Sequence, residues 1–270
     1  MNDNQKKYVL VTGASGGLGT ASVNELLKSG YFVFACDKTI NEEKKENLLN
    51  IQMDIVSDDD IKKVYNIVLN YTKNLYAIIN LAGIFMLDSI VEGTEDRLRQ
   101  IIEVNFFGAY KVNKIFLPLL DKKIGRIINA TSELAGYSVA PFNGYYTISK
   151  VLIDKYSDVL RRELNYTNIK VIKVRSGSFK SKLLNNANSE YNFLIEKTTN
   201  YYNQLTKLKS LMDGELKKNN SPIIFGRLIN NICNEKKPKM CYNIKRSLKL
   251  RLLDILPEKI QDIIYKEMIK

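Results

Sequence analysis

The sequence predicts an α/β fold: a doubly wound parallel sheet of about seven strands, helices on both faces and a helical C-terminal lid and tail. Three observations predict it. The β-branched and aromatic run Tyr8-Val9-Leu10-Val11 stops at a glycine-rich turn, Thr12 to Gly19. A helical pattern follows at once, with Leu18, Val23, Leu26 and Leu27 at helical spacing and Gly30 at its end. Strand-like and helix-like runs then alternate through the first two thirds of the chain, without an internal repeat or a low-complexity linker.

The first unit is β-loop-α-β, closed by a second strand from Tyr31 to Cys36. This is a Rossmann-type arrangement. Glycines let backbone approach a phosphate, and the helix start offers free N–H groups and a positive dipole end. Asp37 sits at the tip of the second strand, where a carboxylate can accept from a ribose 2′-hydroxyl and repel a 2′-phosphate. The turn itself carries no Arg or Lys. Both features favour NAD over NADP, and the neighbouring Lys38 argues the other way.

Residues 41–50 are charged and read as loop or helix. Leu49, Ile51 and Met53 lead to Asp54-Ile55, and a helix is expected from Ser57, as N-cap, to Thr72. Tyr76 to Leu81 reads as a strand, 94–121 as one long helical pattern, and Arg126 to Thr131 as another strand. A helix over 145–166 and a strand from Ile169 to Val174 follow. Pro222 to Cys233 is expected to be helical, with Ser221 as N-cap, and Lys239 to Tyr242 to be the last strand.

With 270 residues and 45% hydrophobic content, the chain can bury a sizeable core. The polar N-terminus has no signal-peptide pattern, and the three cysteines lack metal or disulfide spacing. A cytoplasmic protein with reduced thiols and no metal is expected. There is no histidine, which excludes Ser-His-Asp and Cys-His triads and HExxH zinc sites. Proton transfer near neutral pH must then use Tyr, Lys, Cys or a carboxylate. The net charge of +12 has no nucleic-acid motif behind it.

Tyr-x-x-x-Lys occurs at Tyr110/Lys114, Tyr146/Lys150 and Tyr166/Lys170. Context favours Tyr146, since the other two lack a Ser at a preceding strand end. The ordered set of motifs resembles the short-chain dehydrogenases/reductases. Thr12-Gly13 through Gly19 is similar to that family's cofactor turn, and Asp54-Ile55 to its adenine-contacting pair. Asn80-Leu81-Ala82-Gly83 is similar to its Asn-Asn-Ala-Gly motif, with Leu81 for the second Asn. Asn105, Ser132, Tyr146 and Lys150 fall where its catalytic tetrad belongs. Ser176-Gly177 and Ser181 resemble the Pro-Gly and Thr that hold the nicotinamide. The stretch from Ser132 to Tyr146 is one residue longer than the commonest spacing, with the excess in Glu133–Gly136.

The resemblance implies an oxidoreductase that moves hydride between a nicotinamide cofactor, NAD favoured, and a secondary alcohol or ketone. Tyr146 is then the general acid/base, helped by the Lys150 ammonium and a positive nicotinamide ring. Lys150 also holds the ribose, Ser132 orients the substrate oxygen, and Asn105 holds a water of the proton relay. The cofactor set it implies is Thr12, Gly13, Ser15, Gly17, Leu18, Gly19, Asp37, Asp54, Ile55, Asn80, Ala82, Gly83, Tyr146, Lys150, Gly177 and Ser181. A homodimer or homotetramer is implied as well. The alternative is a non-catalytic NAD-sensing or regulatory protein. The sequence does not choose among lipid-like, steroid-like, retinol-like and sugar substrates.

The whole chain, 1–270, is expected to be one NAD(P)-binding domain, with 180–220 as a substrate lid. Tyr191, Phe193, Tyr201 and Tyr202 are candidate pocket aromatics, with plain packing the other reading. The tail, 244–270, is basic and amphipathic. Lys245, Arg246, Lys249 and Arg251 interleave with Leu248, Leu250, Leu252 and Leu253, and Ile260, Ile263, Ile264 and Met268 recur at helical spacing. It either packs against the domain or another subunit, or makes peripheral contact with an anionic membrane. Glu133, beside Ser132, is a candidate for substrate contact or for a structural role.

Overall fold

A computed structural model describes residues 6–137, 139–180, 186–216 and 220–270. The expected site residue Ser181 lies outside the described residues. The first half runs β1 (Tyr8–Thr12), α1 (Gly17–Lys28), β2 (Phe32–Asp37), β3 (Glu43–Lys45), β4 (Leu48–Gln52), α2 (Asp58–Leu69), β5 (Leu75–Asn80), α3 (Glu95–Ile102) and α4 (Ala109–Phe116). The second half runs β6 (Arg126–Ser132), α5 (Gly144–Glu163), β7 (Lys170–Ser176), α6 (Ala187–Lys197), α7 (Tyr202–Leu216), α8 (Pro222–Asn234), β8 (Cys241–Ile244), α9 (Leu248–Asp254) and α10 (Glu258–Ile269).

The strands form one eight-stranded sheet in the order β3-β4-β2-β1-β5-β6-β7-β8. Every pairing is parallel except β3 with β4. From β1 the chain winds outward on one side through β2 and β4, then returns to build β5 to β8 on the other. The strand order therefore reverses at β1/β5, the place where open α/β sheets bind ligands beyond their strand ends.

Side-chain alternation in β1 divides the core. Val9 and Val11 join Val23 and Leu26 of α1 and Phe225 and Ile229 of α8 on one face. Leu10 points the other way, into Phe34, Ile61, Val64, Val112 and Phe116 under α2 and α4. Leu10 and Phe34 are fully buried, each stabilising by about 1.5–3 kcal/mol on transfer from water. Gly226 lets α8 lie directly on α1, since a Cβ there would overlap the Ala21 carbonyl.

The structure corrects three expectations. Within residues 41–50, expected to be loop or helix, β3 turns back on β4 as a short antiparallel pair, Lys44 opposite Leu49. Its residues are all exposed and charged, so local composition hid a strand that the neighbouring sheet edge templates. The pattern over 94–121 is not one helix. It breaks between α3 and α4 into a π-helical stretch, Glu103–Gly108, that carries Asn105. The last strand lies two residues later than expected, at Cys241–Ile244, because it pairs with β7 up to Ser176. Ser176 has the N–H that a proline lacks, and it sits between Ser132 on β6 and Ile244 on β8.

The tail folds as α9 and α10, but its packing face is offset from its apolar stripe. Gln261 and Tyr265 are buried, and Met268 and Ile269 join the cluster of Leu87, Tyr191, Leu194, Leu205 and Leu208, while Ile260, Ile263 and Ile264 face outward. No helix among the described residues is long and apolar enough to cross a membrane.

Candidate active site

The site lies beyond the C-terminal ends of β1, β5, β6 and β7. Gly13, at φ +69°, opens the turn after β1; a Cβ on it would stand 2.6 Å from the Ala82 backbone nitrogen. A Cβ on Gly19 would overlap the Gly13 carbonyl and lie 2.7 Å from the Ala14 Cα. Side chains are therefore excluded where β1, β5 and α1 converge. The α1 N-terminus has Gly16 at its cap, no side-chain hydrogen bond closing it, and no acidic residue in its first turn. Its backbone donors and dipole fit the pyrophosphate of a dinucleotide.

Asp37 at the tip of β2 accepts from the Ser15 N–H at 3.1 Å and from the Thr39 N–H and hydroxyl, each at 3.0 Å. Burial raises its pKa, but these donors outweigh burial and hold the carboxylate below its ordinary range. Lys38 points elsewhere, to Asp54 at 2.6 Å. Asp54 also accepts from the Val56 N–H at 3.1 Å, and Ile55 is buried over Gly108, where a Cβ would overlap it.

Thr12 and Ala82 tie β1 to the segment after β5, the Ala82 N–H reaching the Thr12 hydroxyl at 3.4 Å. Asn80 turns the opposite way. Its amide donates to Asn113 and Asn129, both at 2.8 Å, and Asn129 donates to Ser157 at 2.9 Å. Asn80 thus fixes the end of β5 from inside the protein, and the backbone of Leu81–Gly83 faces the cleft. Leu81 packs against the core, consistent with a position that makes no polar side-chain contact.

The four expected catalytic residues come together. Tyr146 lies on α5, half-buried, with Ser132 at the end of β6 close enough to its hydroxyl to lower its pKa. Ser132 Oγ also accepts from the Leu134 N–H at 3.2 Å. Lys150, one turn along α5, is buried with its Nζ 5.7 Å from the Tyr146 ring centroid. Asn105 clasps Ile84, accepting from its N–H at 2.8 Å and donating to its carbonyl at 3.0 Å, and donates to Ser149 at 2.9 Å. A Cβ on Gly83 would be 3.0 Å from Asn105 Oδ1 and 3.5 Å from Lys150 Nζ, so Gly83 lies directly against both groups. The π-helical stretch places Asn105 there, a common use of such bulges.

Burial dominates the protonation of the pair. It raises the Tyr146 hydroxyl to about 12, with Glu133 adding to the rise and the nearby Ser132 hydroxyl opposing it. It lowers the Lys150 ammonium to about 8. Tyr110 and Tyr166 have no such setting: Tyr110 packs edge-on and tilted against Tyr156 and Phe106, and Tyr166 is almost wholly exposed.

Two features escaped the sequence reading. Beneath α5, Asp154 binds Arg175 and Lys173 of β7, and Asp158 binds Lys173 at 2.8 Å. The signal was present: two bases on one face of a strand, and two acids four apart on the preceding helix. Above the cleft, Arg97 of α3 donates to Asp88 at 2.8 Å and to Glu190 of α6 at 2.7 Å, with Phe193 under its guanidinium at 4.4 Å. Glu92 accepts from Thr198, Thr199 and Asn200 at the end of α6. Of the candidate pocket aromatics, Tyr191 is buried with Leu194, Leu205 and Leu208, Tyr201 packs on Phe142 at 5.3 Å, and Tyr202 is exposed. Phe85 meets the Tyr146 ring at 4.9 Å.

The short chain dehydrogenase family model matches residues 7–192. The chain is 34% identical over 177 residues to a 3-amino-tetrahydro-pyrrolizinone reductase of Xenorhabdus hominickii, covering 64% of this chain and 62% of that protein. It is 36% identical over 199 residues to estradiol 17-beta-dehydrogenase 2 of Rattus norvegicus, covering 68% of this chain and 51% of that one. The match thus spans only about half to three fifths of the length of these relatives. An actinorhodin polyketide ketoreductase solved with NADPH superposes with a TM-score of 0.71 at 19% identity, covering 88% of this chain and 95% of that one, which shows the same fold. With the family model covering well over half of the sequence, the chain belongs to the short-chain dehydrogenase/reductase family of NAD(P)-dependent oxidoreductases.

Proposed function

We propose that the protein interconverts a secondary alcohol and a ketone, with NAD as the favoured cofactor. The observation that carries this is the Tyr146 hydroxyl beside Ser132, with the buried Lys150 one helical turn away. The residues fit the dinucleotide. Gly13, Gly17, Leu18 and Gly19 give bare backbone for its phosphates, Asp37 an acceptor for its adenosine ribose, and Lys150 a donor for the other ribose. Gly177, whose N–H donates to Ile244 at 2.9 Å, forms the wall beside the reacting ring. Bound there, the nicotinamide supplies or accepts the hydride.

The chain's own residues handle the proton. Burial keeps Tyr146 protonated at neutral pH, the form that donates to a carbonyl during reduction. In oxidation Tyr146 must first lose that proton, so a higher pH speeds this direction. In this reading Ser132 donates to the substrate oxygen and Asn105 holds a water near Lys150. NAD preference is supported by the unopposed carboxylate of Asp37 and by Lys38 lying on Asp54 instead of the glycine turn. The apolar wall of Phe85 and the cluster around Tyr191 supports a largely apolar substrate.

The chain is read as one domain, cytoplasmic and homo-oligomeric, in which 180–220 forms the lid. For the tail, a second reading is favoured by Leu248, Leu252 and Ile255, at 66%, 59% and 73% exposure beside Arg251: contact with an anionic membrane surface.

The direct test is Tyr146→Phe. It is expected to bind NADH as the parent does while turnover of a secondary-alcohol panel falls by about 10²–10⁴-fold. Undiminished turnover would overturn the acid/base assignment.

A further inference from the structure

Glu133 is a buried carboxylate next to the substrate-facing serine, and the proposed chemistry leaves it without a task. It opens the 3-10 turn Glu133–Gly136, where the sequence carries its extra residue before Tyr146. Ser132 caps this turn through the Leu134 N–H, so wherever the turn sits, the Ser132 hydroxyl goes with it.

The turn is held from the far end of the chain. Glu133 Oε2 accepts from the Ser247 N–H at 2.6 Å. Its other oxygen lies 3.2 Å from where a Gly177 Cβ would be. Gly177 in turn donates to Ile244, and a Cβ on it would overlap the Lys245 carbonyl. Lys245 has φ +51°, a conformation that a non-glycine residue keeps only where its surroundings dictate it. Arg246 is stacked on the Tyr137 ring at 4.2 Å, one residue past the turn. Three strand ends therefore close on one point: Ser132-Glu133 after β6, Gly177 after β7 and Lys245–Ser247 after β8.

We propose that Glu133 is a positioning residue for the Ser132–Tyr146 pair, held by a strap formed from Lys245, Arg246 and Ser247 at the root of the C-terminal tail. The strap makes the tail part of the reaction centre, whatever the tail itself touches. Glu133 also adds negative charge beside Tyr146, which disfavours tyrosinate. The charged and titratable groups that act on it are Tyr146 on α5 and Arg246 on the strap. Arg175, on the far side of Gly136, is engaged with Asp154.

The test uses the full chain and rests on Tyr146 being the acid/base group, so one readout is independent of turnover. Tyrosinate formation is followed by the ultraviolet difference between each protein and its Tyr146→Phe counterpart. Glu133→Gln keeps an acceptor for Ser247 and removes the charge. It is expected to lower the Tyr146 midpoint by about one pH unit. Glu133→Ala removes the acceptor of the strap contact and Ser247→Pro removes its N–H donor, both within the full chain. With 1-phenylethanol as probe, both are expected to lower kcat on the order of tenfold or more, as a misplaced group does. Glu133→Gln is expected to restore most of that loss. An unmoved tyrosinate midpoint in Glu133→Gln, with kcat equal to the parent in a folded Glu133→Ala, would overturn the proposal. A midpoint that moves in a protein that never turns over any alcohol would uphold the strap and sink the oxidoreductase reading instead.

Discussion

Arg175 on β7 and Asp154 on α5 meet fork to fork, with Nε and Nη2 each donating to both carboxylate oxygens at 2.7–3.2 Å. Asp154 is fully buried, lies one turn beyond Lys150, and takes a further bond from Lys173 at 2.9 Å. The cluster fixes how α5 lies across the sheet, and so where Tyr146 and Lys150 face the cleft. Asp154→Ala would leave Arg175 without its carboxylate and Lys173 with only Asp158. Removing one partner of a buried pair costs about 3–5 kcal/mol. A urea titration should show that loss, and a change within about 1 kcal/mol, the range of exposed pairs, would mean that solvent reaches the cluster.

Lys150 makes a second, opposite prediction. Burial lowers its pKa from 10.5 to about 8, so the folded chain holds this proton less tightly than the unfolded chain. Between those two values the unfolded state carries more protons, and stability rises with pH. Below about pH 8 the burial penalty is fully present. Lys150→Met is therefore expected to stabilise the cofactor-free protein at pH 7, by on the order of 3 kcal/mol at most. The gain should shrink as pH climbs toward 10.5, while NADH binding is lost. Denaturant unfolding at the two pH values checks the sign. A variant less stable than the parent at pH 7 would show that the ammonium has stabilising partners in solution.

Asp37 bears on cofactor choice. Its oxygens already gather Ser15 and Thr39, which holds the carboxylate ionised and aimed at the rim of the glycine turn. Fluorescence titration should give tighter binding of NADH than of NADPH. Asp37→Ala should level the two, chiefly by weakening NADH, since a hydrogen bond to a charged acceptor is worth about 1.5–3 kcal/mol. Preferential NADPH binding by the parent would mean that Lys38 leaves Asp54 and takes the 2′-phosphate.

The tail offers a physical separation of its two readings. Its inward residues, Tyr265, Met268 and Ile269, pack on the domain, and its outward residues, Leu252, Ile255 and Ile263, do not. Flotation with anionic phosphatidylserine vesicles is expected to carry the parent, and not Leu252→Ser/Ile255→Ser/Ile263→Ser. Equal flotation of both would place these side chains in a subunit contact or leave them in water.

The alternation of short β-branched runs with helical patterns determined the α/β sheet, because a two-residue and a 3.6-residue period are both written locally. Gly13 and Gly19 were legible for the same reason: a turn that admits no Cβ leaves its mark in residue type. Tyr146 and Lys150 were legible as a pair four apart on one helix. Other features were decided only by tertiary contacts. The charged segment Glu43–Lys45 became a strand because β4 offered it an edge. The pattern over 94–121 broke at Asn105, whose side chain is satisfied by Ile84, twenty-one residues away. Asn80 was expected to face the cofactor and faces Asn113 and Asn129. The tail's buried face was set by α7, which it meets, not by its own apolar stripe. Glu133 waits on Ser247, more than a hundred residues later. Local periodicity fixes which elements form, and a polar side chain's direction is settled only when a distant partner arrives to satisfy it.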